Sequence, residues 1–265
     1  MLTTTQTRPN PIPNLQPFHF LFLQELDGRD RFAPAGSGVL FSVSNHYFIL
    51  TAAHVLDLVD DKIIINNDGE ILPVSPQSPL PKIAKTTTSH DSRENDRIDL
   101  GAVKIPDDVA MAFIANGKQF LKVSRVCLQT LKPKVTPLMF CGYPKSRSKI
   151  HHPRLRYDLV AWGSGAFSPD QVKELQREPN IHIATLFDRE HTYHIATQRT
   201  IMAPDPDGLS GGGAWVLSAK SDDCLLAGIG IEYNAPKKAL IATNMAEVYK
   251  FLRREFIETT PYLPN

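Results

Sequence analysis

The chain has 265 residues, 42% hydrophobic and 22% charged, with a formal net charge of +1. That length can bury a substantial core as one large domain or two small ones, while Lys+Arg 29 against Asp+Glu 28 leaves no overall basic excess to neutralise nucleic-acid phosphates. No apolar run approaches the roughly 20 residues that span a bilayer, so neither nucleic acid nor membrane is expected as a partner.

Residues 1–13 are rich in Thr, Pro and Asn and lack the basic start and apolar centre of a secretory signal, so a flexible tail is expected through residue 17. From Phe18 onward, short apolar or alternating segments broken by Gly, Asn and Asp predict strands at 18–23, 38–43, 47–50, 62–66 and 100–105. Between the last two, Pro76, Pro79 and Pro81 and the polar run 86–97 mark a long exposed excursion. Residues 106–121 have no clean period and read as the connection between two halves. A second series of strands is expected at 134–141, 155–162, 181–186, 193–198, 213–217, 225–231 and 239–243, a spacing that favours an all-β architecture over βαβ units. One helix is well marked: Met245, Val248, Tyr249, Phe251, Leu252 and Phe256 fall on one stripe, with charged residues elsewhere and Pro261 beyond. Cys127, Cys141 and Cys224 are odd in number and widely spaced, a poor basis for disulfides or a zinc site, and a reducing cytoplasm is the simplest compartment.

The strongest chemical feature is Asp207-Gly208-Leu209-Ser210-Gly211-Gly212-Gly213 at the start of an apolar strand. A serine hydroxyl is a weak nucleophile until a base takes its proton, and the oxyanion that follows needs backbone N–H donors. Glycines on both sides let the backbone turn sharply and approach a substrate. The base candidate is His54, placed after an apolar strand and two alanines. The acid candidate is Asp99 at the mouth of the strand 100–105, where it can hold imidazole Nδ1–H and present Nε2 to the serine.

Thr51-Ala52-Ala53-His54, Asp99-Leu100-Gly101-Ala102-Val103 and Gly208-Leu209-Ser210-Gly211-Gly212 resemble, in the right chain order, the three signature segments of the chymotrypsin-like serine peptidases. The resemblance implies two six-stranded antiparallel Greek-key β-barrels and a C-terminal α-helix. The first barrel, 18–120, carries His54 and Asp99; the second, 121–244, carries Ser210; the helix occupies 245–260. It makes Ser210 the nucleophile, His54 the general base and then acid, and Asp99 the orienting carboxylate, with N–H groups of Gly208 and Ser210 as the oxyanion hole. It implies a protein or peptide substrate and neither metal nor cofactor. The serine segment also fits the Gly-x-Ser-x-Gly elbow of α/β-hydrolases, but those enzymes place the histidine after the serine, and the last histidine here is His194.

Departures from the family pattern narrow the expectation. Leu209 stands where cleavage-activated animal members carry an Asp that pairs with a freed N-terminus, and the disulfides near the site are missing. The chain therefore resembles intracellular bacterial members more than secreted digestive ones. The resemblance places Gly228, Gly230, Ile231 and Glu232 along one wall of the pocket for the residue before the cut bond, and residues 202–205 at its base. Pro204 occupies the spot where an acid would select Arg or Lys, whereas Asp205, Asp207 and Glu232 offer an acidic cleft that would favour a basic residue. His151 with His152 is expected to be a loop pair, and His191 with His194 a structural pair without acidic companions. Two further readings stay open: a catalytically latent binding or scaffold protein on the same fold, and an enzyme switched on by a protein partner or substrate through 86–97.

Overall fold

A computed structural model describes residues 14–26, 32–59, 64–67, 70–73, 81–87, 96–151, 154–194, 199–217 and 224–264. The first half contains β1 (His19–Glu25), β2 (Phe32–Val43), β3 (His46–Ala52), α1 (Ala53–Leu58), β4 (Ile64–Asn67), β5 (Glu70–Pro73), β6 (Lys82–Lys85), β7 (Leu100–Ile105), α2 (Asp107–Ala115) and β8 (Leu121–Lys122). Strands β1-β2-β3-β7-β6 form an antiparallel sheet, and β8 adds to β2 in parallel. Val43 pairs with His46 across a two-residue turn in which Ser44 takes φ 53°, the positive dihedral that tight hairpins require.

The second half contains β9 (Pro137–Gly142), β10 (Ser148–His151), β11 (Arg154–Tyr157), β12 (Val160–Gly165), α3 (Pro169–Glu174), β13 (His182–Leu186), β14 (Thr192–His194), β15 (Arg199–Ile201), β16 (Gly213–Leu217), β17 (Cys224–Asn234), β18 (Ala239–Asn244) and α4 (Met245–Glu255). Six strands run in the order β12-β9-β16-β17-β18-β13. A bridge between Ala166 and Thr185, with Phe167 N–H donating to Ala184 O at 2.8 Å, joins the outermost two and closes the barrel.

The described strands leave the first sheet a half-barrel, because the β4–β5 hairpin pairs instead with β11, Glu70 opposite Arg154, in a four-stranded sheet β10-β11-β5-β4 that spans both halves. The connection 106–121 is partly helical: α2 begins after Pro106, carries Asp107 and Asp108 in its first turn where they complement the helix dipole, and buries Val109, Ala110 and Phe113. Nine residues are too few turns for its period to stand out in the sequence.

One hydrophobic cluster joins the two halves. Phe41, Phe48 and Leu50 from the first sheet pack with Trp215, Leu226 and Ile229 from the second, and α4 lays Val248, Tyr249 and Leu252 over both. The α4 stripe is the one legible in the sequence, and Asn244 caps it by accepting from Glu247 N–H at 3.1 Å. The helix ends at Glu255 and a 3-10 segment, Ile257–Tyr262, follows. At the other end, Leu15 is 3% exposed and Phe18 packs its ring 6.4 Å from that of Trp215, so the chain is anchored two residues before the expected end of the tail.

Candidate active site

His54 is the second residue of α1. Strand β3 runs into the helix through Ala52 and Ala53, both fully buried. Asp99 sits just before β7 at φ 46°, a left-handed conformation that Asp tolerates better than most residues. Its N–H donates to Asp96 Oδ1 at 2.9 Å, and its carbonyl accepts from Ala53 N–H at 3.1 Å. Both carboxylate oxygens then turn to His54: Oδ1 accepts from the backbone N–H at 3.0 Å, and Oδ2 lies 2.6 Å from ring Nδ1. The carboxylate acceptor fixes the Nδ1–H tautomer, which leaves a lone pair on Nε2. Asp99 is 13% exposed and His54 34%, so the acid is sheltered behind the imidazole.

The segment leading to Asp99 is held by the second half. Thr243 Oγ1 on β18 donates to Ile98 O at 2.6 Å, and His182 Nε2 on β13 lies 2.6 Å from Arg97 O. Burial lowers the His182 pKa, which keeps the ring neutral with Nε2–H as donor.

Ser210 lies in a turn that needs its glycines. Gly208 and Gly211 have φ 95° and 84°. A Cβ on Gly211 would lie 1.9 Å from Ser37 O and 2.1 Å from Thr51 Oγ1, and one on Gly212 would lie 2.1 Å from Cys141 O. The turn is thus pressed onto β2 and β3 of the opposite half. Ser37 is its anchor: the N–H donates to Ser210 O at 2.8 Å, and Oγ donates to Gly208 O at 2.7 Å while accepting from Tyr143 N–H at 2.8 Å. Its own carbonyl accepts from Thr51 Oγ1 at 2.7 Å. Beside it, a Cβ on Gly36 would meet Val55 Cγ2 at 2.5 Å and Ser210 O at 3.1 Å. Gly36 is therefore where the residue after His54 and the serine's own carbonyl reach the same stretch of backbone. No hydrogen bond links Ser210 Oγ to His54 among the described residues.

Asp207 O accepts from Lys145 N–H at 2.8 Å. The C=O and N–H of a trans peptide point in opposite directions, so this bond turns Gly208 N–H away from Lys145. Neither Gly208 N–H nor Ser210 N–H has a protein acceptor among the described residues.

Beside Ser210 opens a cavity of about 320 Å³ lined by Phe140, Asp205, Pro206, Asp207, Leu209, Ser210, Gly230, Ile231, Glu232, Tyr233, Leu240 and Ile241. Of the expected pocket residues, Asp205, Asp207, Gly230, Ile231 and Glu232 are on its wall; Pro204 and Gly228 are not. A Cβ on Gly228 would meet Thr243 O at 2.5 Å, so that position is filled by the neighbouring strand. The three acids do not stand free: Asp205 pairs with Arg189 at 2.9 Å, Asp207 with Lys145 at 3.2 Å, and Glu232 with Arg177. The last contact depends on α3, whose capping box joins Ser168 and Gln171 and whose end turns at Gln176, φ 58°, to deliver Arg177.

The remaining histidines lie elsewhere. His151 ends β10, and His152 lies outside the described residues. His191 does have acidic companions: its ligand atoms and those of Asp188 and Glu190 lie within 4.8 Å of one another. Asp188 is engaged, however, by Lys238 at 2.9 Å and His191 at 3.2 Å, and Lys238 holds its pKa down to about 2. His194 belongs to β14. The excursion 86–97 is described only at 86–87 and 96–97.

Two β-barrel-like halves with a C-terminal helix, meeting at a serine turn and a His–Asp pair, define the chymotrypsin-like fold. Comparison with solved structures agrees: neuropsin, a serine protease expressed in the limbic system of mouse brain, is similar over 92% of this chain and 96% of its own, with TM-score 0.56 and 13% identity. The serine protease domain of the Sesbania mosaic virus polyprotein aligns over 89% of this chain and 98% of its own, with TM-score 0.46 and 14% identity. No family model and no curated protein sequence matches the chain.

Proposed function

We propose that the protein is a serine endopeptidase acting on protein or peptide substrates. The observation that carries this reading is the Asp99 carboxylate gripping both the backbone and the ring of His54 while the Ser210 turn docks on β2 and on β3, the strand that leads into His54. In the proposed reaction, Ser210 Oγ attacks the scissile carbonyl as His54 Nε2 takes its proton, and Asp99 stabilises the imidazolium. The new C–O bond places the carbonyl electrons on an oxyanion that Gly208 and Ser210 N–H groups receive. Collapse breaks the C–N bond, His54 returns the proton to the leaving amine, and water repeats the sequence on the acyl-enzyme. The backbone around Gly230 is suited to pairing with an extended substrate.

A latent scaffold on the same fold would turn Gly208 N–H out of this site; the bond from Lys145 N–H to Asp207 O favours the competent arrangement. Leu209, 7% exposed and packed with Phe140 and Leu240, leaves no acid to receive a freed N-terminus, so we infer that activation by N-terminal cleavage is not used. Control by a protein partner at 86–97 remains part of the proposal, as does a reducing compartment, which suits Cys127 and Cys141, neither of them in a disulfide. A fluorophosphonate probe is expected to label the wild-type chain and not Ser210→Ala. Equal labelling of both removes Ser210 as the nucleophile.

A further inference from the structure

We propose that the cavity beside Ser210 is an apolar specificity pocket, made so by three ion pairs that turn its acids outward, and that it takes a Leu- or Phe-sized side chain rather than Lys or Arg. As a statement about substrate, this rests on the peptidase reading above. A cavity selects a cation when a carboxylate inside it has no other partner, because moving an ammonium or guanidinium out of water is costly unless a counter-charge receives it. Here Asp205, Asp207 and Glu232 all touch the cavity, yet each is already paired, with Arg189, Lys145 and Arg177 in turn. None of those cations is among the residues lining the cavity, so each acid of the lining has a counter-charge that lies outside it.

Beside the three acids, the lining is mainly apolar. Phe140, Leu209, Ile231, Leu240 and Ile241 belong to it, and each is 7% exposed or less. About 320 Å³ falls at the small end of ligand pockets, which run from about 300 Å³, enough for one aromatic or branched side chain. Gly230 keeps the wall open: its missing side chain would contact Phe140 at 3.4 Å, inside the space a ligand would occupy. The three pairs come from separate places, the turn after α3 for Arg177, the turn after β13 for Arg189 and the turn after β9 for Lys145, so they can be removed one at a time.

The test separates the pocket from the chemistry. In Ser210→Ala protein, methyl NMR of Ile231, Leu240 and Ile241 would follow titration with indole, neutral and apolar, and with benzamidine, a cation of similar size. Indole is expected to move these resonances and bind at least tenfold more tightly than benzamidine; tighter benzamidine binding, or no shift from indole at millimolar concentration, overturns the proposal. Arg177→Ala and Lys145→Ala, which release Glu232 and Asp207, are each expected to improve benzamidine binding by roughly tenfold. An unchanged ratio in both overturns the neutralising role of the pairs. With active wild-type chain, a peptide library should show Leu or Phe before the cut bond favoured over Lys by roughly 100-fold, within the range that pocket contacts supply. Preference for Lys overturns the proposal while leaving the peptidase reading intact. Loss of fluorophosphonate labelling with indole binding retained overturns the peptidase reading while leaving the pocket intact.

Discussion

His19, the first residue of β1, is fully buried with its Nδ1–H donated to Leu15 O at 2.8 Å and its ring 5.6 Å from that of Trp215. Burial lowers its pKa from 6.5 to about 4, so the folded protein holds it neutral while the unfolded chain binds a proton below pH 6.5. Its contribution to stability is therefore complete above pH 6.5 and is lost as pH falls from there toward 4. At about 1.4 kcal/mol per pKa unit the loss comes to about 3 kcal/mol. Urea unfolding from pH 4 to 8 should show this slope in the wild-type chain and a much flatter one in His19→Gln; equal slopes would assign acid sensitivity to other groups. At this scale the sequence is uneven in what it discloses. His54, Asp99 and Ser210 stand in recognisable segments because small residues are packed closely around them, Ala52 and Ala53 fully buried and Gly211 and Gly212 pressed on neighbouring backbone. Ser37 has no motif, since one hydroxyl on a strand looks like any other, although Gly36 and Gly38 around it hint at close approach by another backbone. The three acids of the pocket are equally visible, but two of their cations lie far off in sequence, Arg177 55 residues from Glu232 and Lys145 further still from Asp207, and pairing at that range leaves no local trace.

The serine turn shows how an element can be fixed by what it is pressed against. Gly211→Ala would combine an unfavourable positive φ with a Cβ 1.9 Å from Ser37 O, and both the backbone and the strand opposite would have to shift. Urea denaturation should show a loss of more than about 3 kcal/mol, with fluorophosphonate labelling lost as well. Gly117→Ala is the control: φ is 79° and nothing lies within 4 Å of the added Cβ, so only the backbone term of about 1–2 kcal/mol applies. Equal losses would mean that dihedral preference, and not packing against Ser37, dictates glycine in the turn. Among the other elements, α4 is readable because its eleven residues sort cleanly into buried and charged faces. The partnership of the β4–β5 hairpin with β11 is hidden, because short strands reveal their own periodicity but not their neighbour.

Across the whole molecule, each half supplies contacts that fix the other's candidate site residue. Thr243 and His182 of the second half hold the carbonyls just before Asp99, and Ser37 of the first half, its own carbonyl held by Thr51, grips the turn around Ser210. Thr243→Val keeps the shape but leaves Ile98 O without its donor, a loss worth about 1–2 kcal/mol. We expect kcat/KM to fall roughly tenfold through kcat, with a Tm decrease of a few degrees. A change in Tm with kcat untouched would show that the contact secures the halves but not Asp99. The two-half architecture was legible from strand count and motif order, whereas the half-barrel geometry depends on long-range pairing that no single segment encodes.

That reciprocity bears on how the chain is made. Synthesis delivers the His–Asp pair first, folded against nothing that can complete it, because the oxygen of Gly208 that Ser37 grips lies 171 residues further along. Ser210 in turn arrives before β18 has emerged to set Asp99. A nascent chain on the ribosome should therefore carry the parts of the proposed active site separately, and they come together only when the last strand docks.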